Sequence, residues 1–153
     1  MQFTVTPIAF VHNSRTEATD DFWGDVISEI KLADNMPTES LDNIDDFSHL
    51  EIIYVFDKAD DSKIVKGSSH PRGNTAWSKT GIFGQRKKDR PNHIGSITVK
   101  LVRKEGRSLF VQFLDAIDNT PVIDIKPVIK EFLPKEEIRQ PSWASELMQD
   151  YWK

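Results

Sequence analysis

The stretch SITVKLVRKEGRSLFVQFL, residues 96–114, decides the fold class of this 153-residue chain. It contains two runs rich in β-branched and aromatic residues, 96–103 and 108–114, joined by the four residues KEGR. Runs of this length and composition are typical of strands, and a short connection that contains glycine is typical of a hairpin. The stretch therefore predicts two neighbouring antiparallel strands.

Further strand-like runs lie on both sides of this hairpin. Residues 22–32 carry a helical and an alternating pattern at once, and we favour a strand because Gly24 weakens a helix. The other runs are short and rich in apolar residues: Gln2–Val11, Leu50–Phe56, Gly81–Gly84 and Val122–Lys126. Six or seven short strands without alternating helices predict one mainly β domain over residues 1–153, an antiparallel barrel or a strongly curled sheet.

The remaining segments predict long loops and little helix. Residues 57–79 form a long polar connection, and residues 33–49 are acidic with one helical turn near Leu41–Asp45. A short C-terminal helix is predicted over Ser142–Trp152, with Ser142 as its N-cap. Its apolar face is formed by Trp143, Leu147 and Tyr151.

The composition narrows the class of protein. The chain has no cysteine, which excludes disulfides and thiolate metal sites and suits a reducing compartment. It has neither a signal-peptide pattern nor a run of about 18 apolar residues, so we expect a cytoplasmic protein without a membrane span. The glycine motifs of dinucleotide and P-loop sites and the GxSxG nucleophile elbow are missing as well.

Basic residues concentrate in the middle of this acidic chain. Residues 66–107 carry 11 basic and 2 acidic side chains, although the whole chain has a net charge of −4. Within them, GIFGQRKKDRPNHIG at 81–95 places guanidinium and ammonium groups between turn-forming glycines and a proline. Arg86 and Arg90 could bind carboxylate or phosphate groups. The alternative is a tight connection whose charges face water.

Acidic residues concentrate in LDAIDNTPVIDIKP, residues 114–127, which carries Asp115, Asp118 and Asp124. Its DNTP segment is a turn whose backbone groups could contact an adenine edge or ribose hydroxyls, or simply be capped by its own aspartates. We expect no metal, because no histidine lies near these acids and no histidine pair has ligand spacing.

These two stretches together resemble the TsaA-like family, also called the TrmO family. The family is marked by GIFATR…RPNPIG, by a later LD…DGTPVLDIKP and by an FSH triplet, to which Phe47-Ser48-His49 corresponds. The resemblance implies a small antiparallel β-barrel that binds S-adenosylmethionine, usually as a homodimer. It also implies a methyltransferase that acts on N6 of a modified adenosine in the tRNA anticodon loop. The alternatives are a non-catalytic S-adenosylmethionine-binding module and a small-molecule methyltransferase.

The resemblance also assigns residues. The positions that match the family's cofactor-binding residues are Phe56, Asp57, Arg86, Ser96, Asp118, Asn119, Thr120 and Pro121. Three departures stand out: PNP is PNH, with His93 in place of proline; DGTP is DNTP; and the family's PRQ triplet is absent. Arg15 or the stretch Asp20–Gly24 could replace that triplet.

A methyl acceptor nitrogen of low basicity needs a group that accepts its proton. The candidates are Asp57, His70, His93 and Asp118. RNA phosphates would be bound by Arg72, Lys87, Lys88 and Arg90. Trp77 could stack on a splayed base, although a tryptophan is more often part of a core.

Overall fold

Six antiparallel strands close into a barrel in the order β1-β2-β7-β6-β3-β8. The structure is a computed structural model that describes residues 1–153. Its barrel strands are β1 Ala9–His12, β2 Ile27–Leu32, β3 His49–Val55, β6 Ile94–Glu105, β7 Ser108–Gln112 and β8 Pro121–Pro127. A two-stranded ribbon, β4 Ser68–Ser69 and β5 Thr80–Gly81, and the helix α1 Ser142–Leu147 lie outside it. The mainly β prediction is confirmed, and the closed barrel replaces the alternative of a curled open sheet.

The hairpin predicted over residues 96–114 is β6–β7. Its register runs from Lys100 opposite Gln112 to Glu105 opposite Ser108, with a shift between Leu101 and Arg103. β6 then pairs along its first half with all of β3, from Val55 opposite Ile94 to His49 opposite Lys100. The long strand β6 therefore pairs with both β3 and β7.

Alternate residues of each strand point into the barrel and form its core. On β3 the buried side chains are Leu50, Ile52 and Tyr54, which is the period-two pattern of a strand with one face in the core. Burial of one aliphatic side chain of this size stabilises the fold by about 1.5–3 kcal/mol. The other strands contribute Ala9, Val11, Ile30, Leu32, Val99, Leu109, Val111 and Val122.

Three strand predictions were wrong in extent, and the first is the run 22–32, in which β2 begins only at Ile27. The first strand begins at Ala9 and not at Gln2, because Ala9 is opposite Leu32, the last residue of β2, and before it only Ile8 forms backbone hydrogen bonds, with Val122 and Ala33. Residues 81–84 are not one strand. β5 ends at Gly81, and Ile82–Gly84 form a 3-10 turn in which Gln85 N donates to Ile82 O at 3.1 Å.

The predicted helical segments are present, but their ends and the predicted N-cap differ from the observed ones. The acidic segment contains 3-10 turns at Thr38–Leu41 and Ile44–Asp46, close to the predicted turn. α1 ends at Leu147, and its N-cap is Pro141, so the prediction that Ser142 caps the helix was wrong. None of the helices has the length and apolar character needed to cross a bilayer.

The chain after α1 folds back onto the loop before β2. Phe22 N donates to Asp150 O at 3.1 Å, and Trp23 N donates to Tyr151 O at 2.8 Å. A Cβ on Gly24 would lie 2.0 Å from the Trp152 carbonyl oxygen, so this contact requires glycine. Tyr151 is thereby held beside the barrel.

Candidate functional site

The larger of two adjoining cavities begins where β3 ends. It has a volume of about 380 Å³ and brings together segments that are far apart in the sequence. We call residues 81–95 the cationic loop and residues 114–127 the acidic stretch. The cationic loop contributes Arg86–Asp89, and the acidic stretch contributes Asp115–Ile117 and Thr120. The other walls are Ala18, Thr19, Asp20, Trp23, Phe56–Ala59, Arg72, Gly73 and Tyr151. Both stretches singled out in the sequence therefore face one cavity.

A smaller cavity of about 160 Å³ adjoins the first. The two cavities share Phe56, Arg86 and Asp115. Residues that line only the smaller cavity are Tyr54, Phe83, Gln85, Arg90, Ile94, Gly95 and Ser96. The shared residues form the boundary between the two spaces.

Hydrogen bonds on both sides hold the cationic loop in shape. The Arg86 guanidinium donates to the Ser96 carbonyl, and Arg90 Nη1 donates to the Gln85 carbonyl at 2.7 Å. Gln85 is 6% exposed, and its Nε2 donates to the Thr80 carbonyl at 2.7 Å. The loop is therefore a shaped wall of the cavity and not a freely solvated connection.

The lysines of this loop sit beside an aspartate of the same loop. Lys87 Nζ and Lys88 Nζ lie 4.0 and 3.5 Å from the Asp89 carboxylate. All three residues line the larger cavity, and Lys88 is 45% exposed. The pairs are loose, so both ammonium groups stay available to an anionic ligand.

His93 fastens the end of the loop from outside the cavities. Its Nε2 lies 2.9 Å from the Asp61 carboxylate, and its Nδ1 lies 2.9 Å from the Lys88 carbonyl oxygen. The hydrogen bond to Lys88, followed by the one to Asp61, raises the pKa of His93 above its usual range. Because both acceptors favour an N–H, the doubly protonated ring fits this place best.

Asp115 is held by two tyrosines at the boundary of the cavities. Its carboxylate oxygens accept hydrogen bonds from Tyr54 Oη at 2.7 Å and Tyr151 Oη at 2.6 Å. Burial, followed by the nearby Asp115 charge, raises the pKa of both phenols far above the usual range. Both tyrosines therefore keep their protons and act as fixed donors. No sequence motif predicts this arrangement, because Tyr54 and Tyr151 lie 97 residues apart in the chain.

Most of the DNTP turn faces away from the cavity. Thr120 is buried and lines it, but Asp118, Asn119 and Pro121 do not. The Asp118 carboxylate accepts from Asn13 N at 3.2 Å, and Asn119 N donates to Val11 O at 2.7 Å. These residues fasten the turn to the end of β1.

The loop before β2 supplies a wall that no motif had marked clearly. Arg15 Nη1 donates to the Phe22 carbonyl at 2.8 Å, and its guanidinium lies 4.2 Å from the centre of the Trp23 ring. Asp20 and Trp23 line the larger cavity. The stretch that could replace the absent PRQ triplet therefore lies at the cavity, with Arg15 behind it.

The loop of residues 70–79 brings only part of its predicted residues to the cavity. Arg72 lines it, although its guanidinium is paired with the Asp21 carboxylate at 2.9 and 3.3 Å. His70 Nδ1 lies 2.6 Å from the Trp77 carbonyl oxygen, and His70 lines neither cavity. The Trp77 ring is 6.3 Å from that of Trp143, so this tryptophan packs on α1.

No group of three or more histidine, aspartate and glutamate side chains is arranged to hold a metal ion. The site is instead built from both signs of charge and from aromatic rings, at the edge of a closed barrel. Such a combination is typical of a β-barrel site for a small polar ligand.

The chain belongs to the family described as the tRNA-methyltransferase O N-terminal domain, whose model matches residues 11–132. The membership predicted from the motifs is thus confirmed. The crystal structure of TrmO from Pseudomonas aeruginosa has the same fold, with a TM-score of 0.74 at 23% identity, over 94% of this chain and 62% of that one.

Two relatives carry names that bear on function. The human tRNA (adenine(37)-N6)-methyltransferase is 38% identical over 107 residues, which are 70% of this chain and 24% of that protein. An S-adenosyl-L-methionine-binding protein of Archaeoglobus fulgidus is 36% identical over 104 residues, 68% of this chain and 70% of that protein. The chain therefore spans about a quarter of the human relative and most of the archaeal one.

Proposed function

We propose that this chain is an S-adenosylmethionine-dependent methyltransferase that acts on N6 of the adenine beside the tRNA anticodon. The observation that carries the proposal is the larger cavity, where the cationic loop and the acidic stretch meet in one space. Family membership and the methyltransferase name of the human relative support it.

The residues present fit the cofactor's chemistry. S-adenosylmethionine has a carboxylate, an ammonium group, a sulfonium centre and an adenosine, and its reactive methyl group is what it supplies when bound. Arg86 offers donors to a carboxylate, and Phe56 and Trp23 offer apolar walls to a purine. The volume of about 380 Å³ lies in the range of small-molecule sites.

We assign the cofactor-binding role most directly to Phe56, Asp57, Arg86 and Thr120, which all line the larger cavity. Ser96 contributes through its carbonyl, which binds the Arg86 guanidinium. Asp118, Asn119 and Pro121 act indirectly in this proposal, by fixing the turn that presents Thr120.

Of the four candidate proton acceptors, Asp57 alone lines the larger cavity. Its position directly after β3, beside the shared residue Phe56, supports a role next to the reacting atoms. His70, His93 and Asp118 are engaged in contacts within the chain. We therefore propose Asp57 as the acceptor of the substrate proton.

We propose that Lys87 and Lys88 contact RNA phosphates at the cavity, because their pairs with Asp89 are long. The guanidinium groups of Arg72 and Arg90 already donate to the Asp21 carboxylate and the Gln85 carbonyl. A contact of either arginine with RNA would therefore use its other N–H donors. A tRNA substrate also implies action in the cytoplasm.

A homodimer is a further part of the proposal. Phe132 and Ile138, in the segment between β8 and α1, are 86% and 70% exposed, and Phe83 beside the smaller cavity is 84% exposed. Apolar side chains that are exposed together in one patch are typical of surfaces that pack on another protein. In the proposed homodimer a second copy covers these side chains, of which Phe83 lines the smaller cavity.

A second candidate is a module that binds S-adenosylmethionine without transferring its methyl group. The name of the archaeal relative and the larger share of it that this chain covers favour this candidate. Mass spectrometry of tRNA nucleosides from cells with and without the protein separates the two. Loss of N6-methylated adenosine from the tRNA of cells that lack the protein supports the enzyme. If the tRNA nucleosides are the same with and without the protein, although the protein binds S-adenosylmethionine, the result supports the module or an enzyme that methylates a small molecule.

A further inference from the structure

Asp115 differs from the other carboxylates of the larger cavity. Asp20 lies 3.9 Å from the Arg72 guanidinium, and Asp89 lies 3.5 Å from Lys88 Nζ. Asp57 is exposed to water. Asp115 is partly buried, and its two hydrogen bonds come from neutral tyrosines and not from a cation.

A partly buried carboxylate without a counter-charge is unfavourable, because lost hydration is replaced only by the dipoles of two hydroxyl groups. The tyrosines fix its position, and no lysine, arginine or histidine forms an ion pair with it; Arg86, which lines the same two cavities, donates to the Ser96 carbonyl instead. Since Asp115 lines both cavities, a bound cation could reach it from either space.

The surroundings select the kind of cation. Each Asp115 oxygen already accepts one phenol hydrogen bond and keeps one lone pair, so a cation that needs no hydrogen-bond acceptor leaves both tyrosine bonds undisturbed. The rings of Tyr54, Phe56 and Tyr151 lie around the cavities and attract positive charge through their faces. A sulfonium centre has charge but no donor hydrogen, and it suits this environment.

We propose that the Asp115 carboxylate, held by Tyr54 and Tyr151, is the counter-charge for the sulfonium centre of S-adenosylmethionine. This inference rests on the proposed function, and it assigns to Asp115 a role that the family motifs did not give it.

Isothermal titration calorimetry with two ligands tests it. S-adenosylmethionine carries the sulfonium, whereas S-adenosylhomocysteine has a neutral thioether and is otherwise alike. Asp115→Asn keeps the shape and removes the charge. It should weaken binding of the charged ligand about tenfold and change binding of the neutral ligand by less than about twofold.

Two further variants separate charge from structure. Asp20→Asn removes a carboxylate from the same cavity, and it should change the affinity for both ligands by the same factor. Tyr151→Phe removes one hydrogen bond and keeps the Asp115 charge, so the ratio of the two affinities should stay near that of the wild type. Circular dichroism verifies the fold of each variant.

Equal weakening of both ligands by Asp115→Asn overturns the inference and leaves the proposed function intact. Failure of the wild-type protein to bind either ligand overturns the proposed function as well. If Asp115→Asn does not fold, the wild type decides with sinefungin, which has an ammonium group in place of the methylsulfonium. Sinefungin should bind more tightly than S-adenosylhomocysteine, and equal or weaker binding refutes the role of Asp115.

Discussion

At the scale of single residues, the cations of the cationic loop differ in their contacts within the chain. Arg86 lines both cavities and fastens the cationic loop to β6 through the Ser96 carbonyl. Lys87 and Lys88 line only the larger cavity and are loosely paired. Neighbouring cations of one loop should therefore respond differently to mutation.

We expect Arg86→Ala to weaken S-adenosylmethionine binding about tenfold or more, because it removes a charged donor and loosens the loop. The double variant Lys87→Ala, Lys88→Ala should mainly weaken tRNA binding, and the log-log salt dependence should become shallower. Calorimetry and filter binding measure the two effects. Equal losses of cofactor affinity in both proteins would contradict this division.

His93 gives a prediction about pH. Its pKa is raised in the folded state, chiefly by the hydrogen bond to Lys88, so protonation and folding favour each other. This stabilisation is fully present below about pH 6.5, the usual value for histidine, and is lost as the pH rises through the raised pKa. His93→Gln should therefore lower the melting temperature more at pH 5.5 than at pH 8.5.

Thermal melts across this range, with Asp61→Asn as a second variant, provide the check. Asp61→Asn removes the negative charge of one of the two acceptors and should reduce the pH dependence without abolishing it. If His93→Gln lowers the melting temperature equally at pH 5.5 and pH 8.5, the stabilising role of protonated His93 is refuted.

At the scale of secondary structure elements, the pairing of β3 with β6 builds the site. Tyr54 is opposite Gly95, and the tyrosine ring lies over the glycine. A Cβ at position 95 would lie 2.5 Å from the ring carbon Cζ of Tyr54. The pairing thus allows Tyr54 to reach Asp115 across the barrel.

Gly95→Ala should destabilise the fold by about 1–3 kcal/mol, because the added methyl group has no room unless the ring or strand shifts. It should also weaken cofactor binding by displacing Tyr54. Gly81→Ala is the matched control, since a Cβ there meets nothing within 4 Å, and its effect should stay below about 1 kcal/mol. Urea denaturation of both variants measures the difference, and similar losses would argue against the contact.

The same scale shows what local sequence can predict. Hairpin β6–β7 and strand β3 follow from alternation and turn residues, which act over a few positions. The length of β1 did not follow, because β2 ends opposite Ala9 and only the partner strand sets that limit. At residues 81–84 the turn is stabilised by the buried amide of Gln85, a tertiary contact that the pattern of apolar residues does not contain.

At the scale of the whole molecule, barrel closure brings the motifs together. The cationic loop and the acidic stretch were predicted from sequence, and both line the larger cavity. Long-range pairing decided which of their residues face it: Asp115 and Thr120 do, whereas Asp118 turns toward β1. Tyr151 reaches the site only because the C-terminal segment folds back on residues 22–24.

The exposed apolar side chains lead to a prediction about assembly. Sedimentation velocity at micromolar concentration should give the mass of a dimer, because Phe132 and Ile138 would be covered by a second copy. Phe132→Glu should shift the equilibrium toward the monomer and leave the circular dichroism spectrum unchanged. A monomeric wild-type protein at this concentration would contradict the proposed homodimer.

The central claim is that the larger cavity is the cofactor site. A crystal structure of the protein soaked with S-adenosylmethionine tests it most directly. The account predicts cofactor density between Arg86–Asp89 and Asp115–Thr120, with the sulfonium nearest Asp115. Density at another surface, or none between these segments at saturating cofactor, would contradict it.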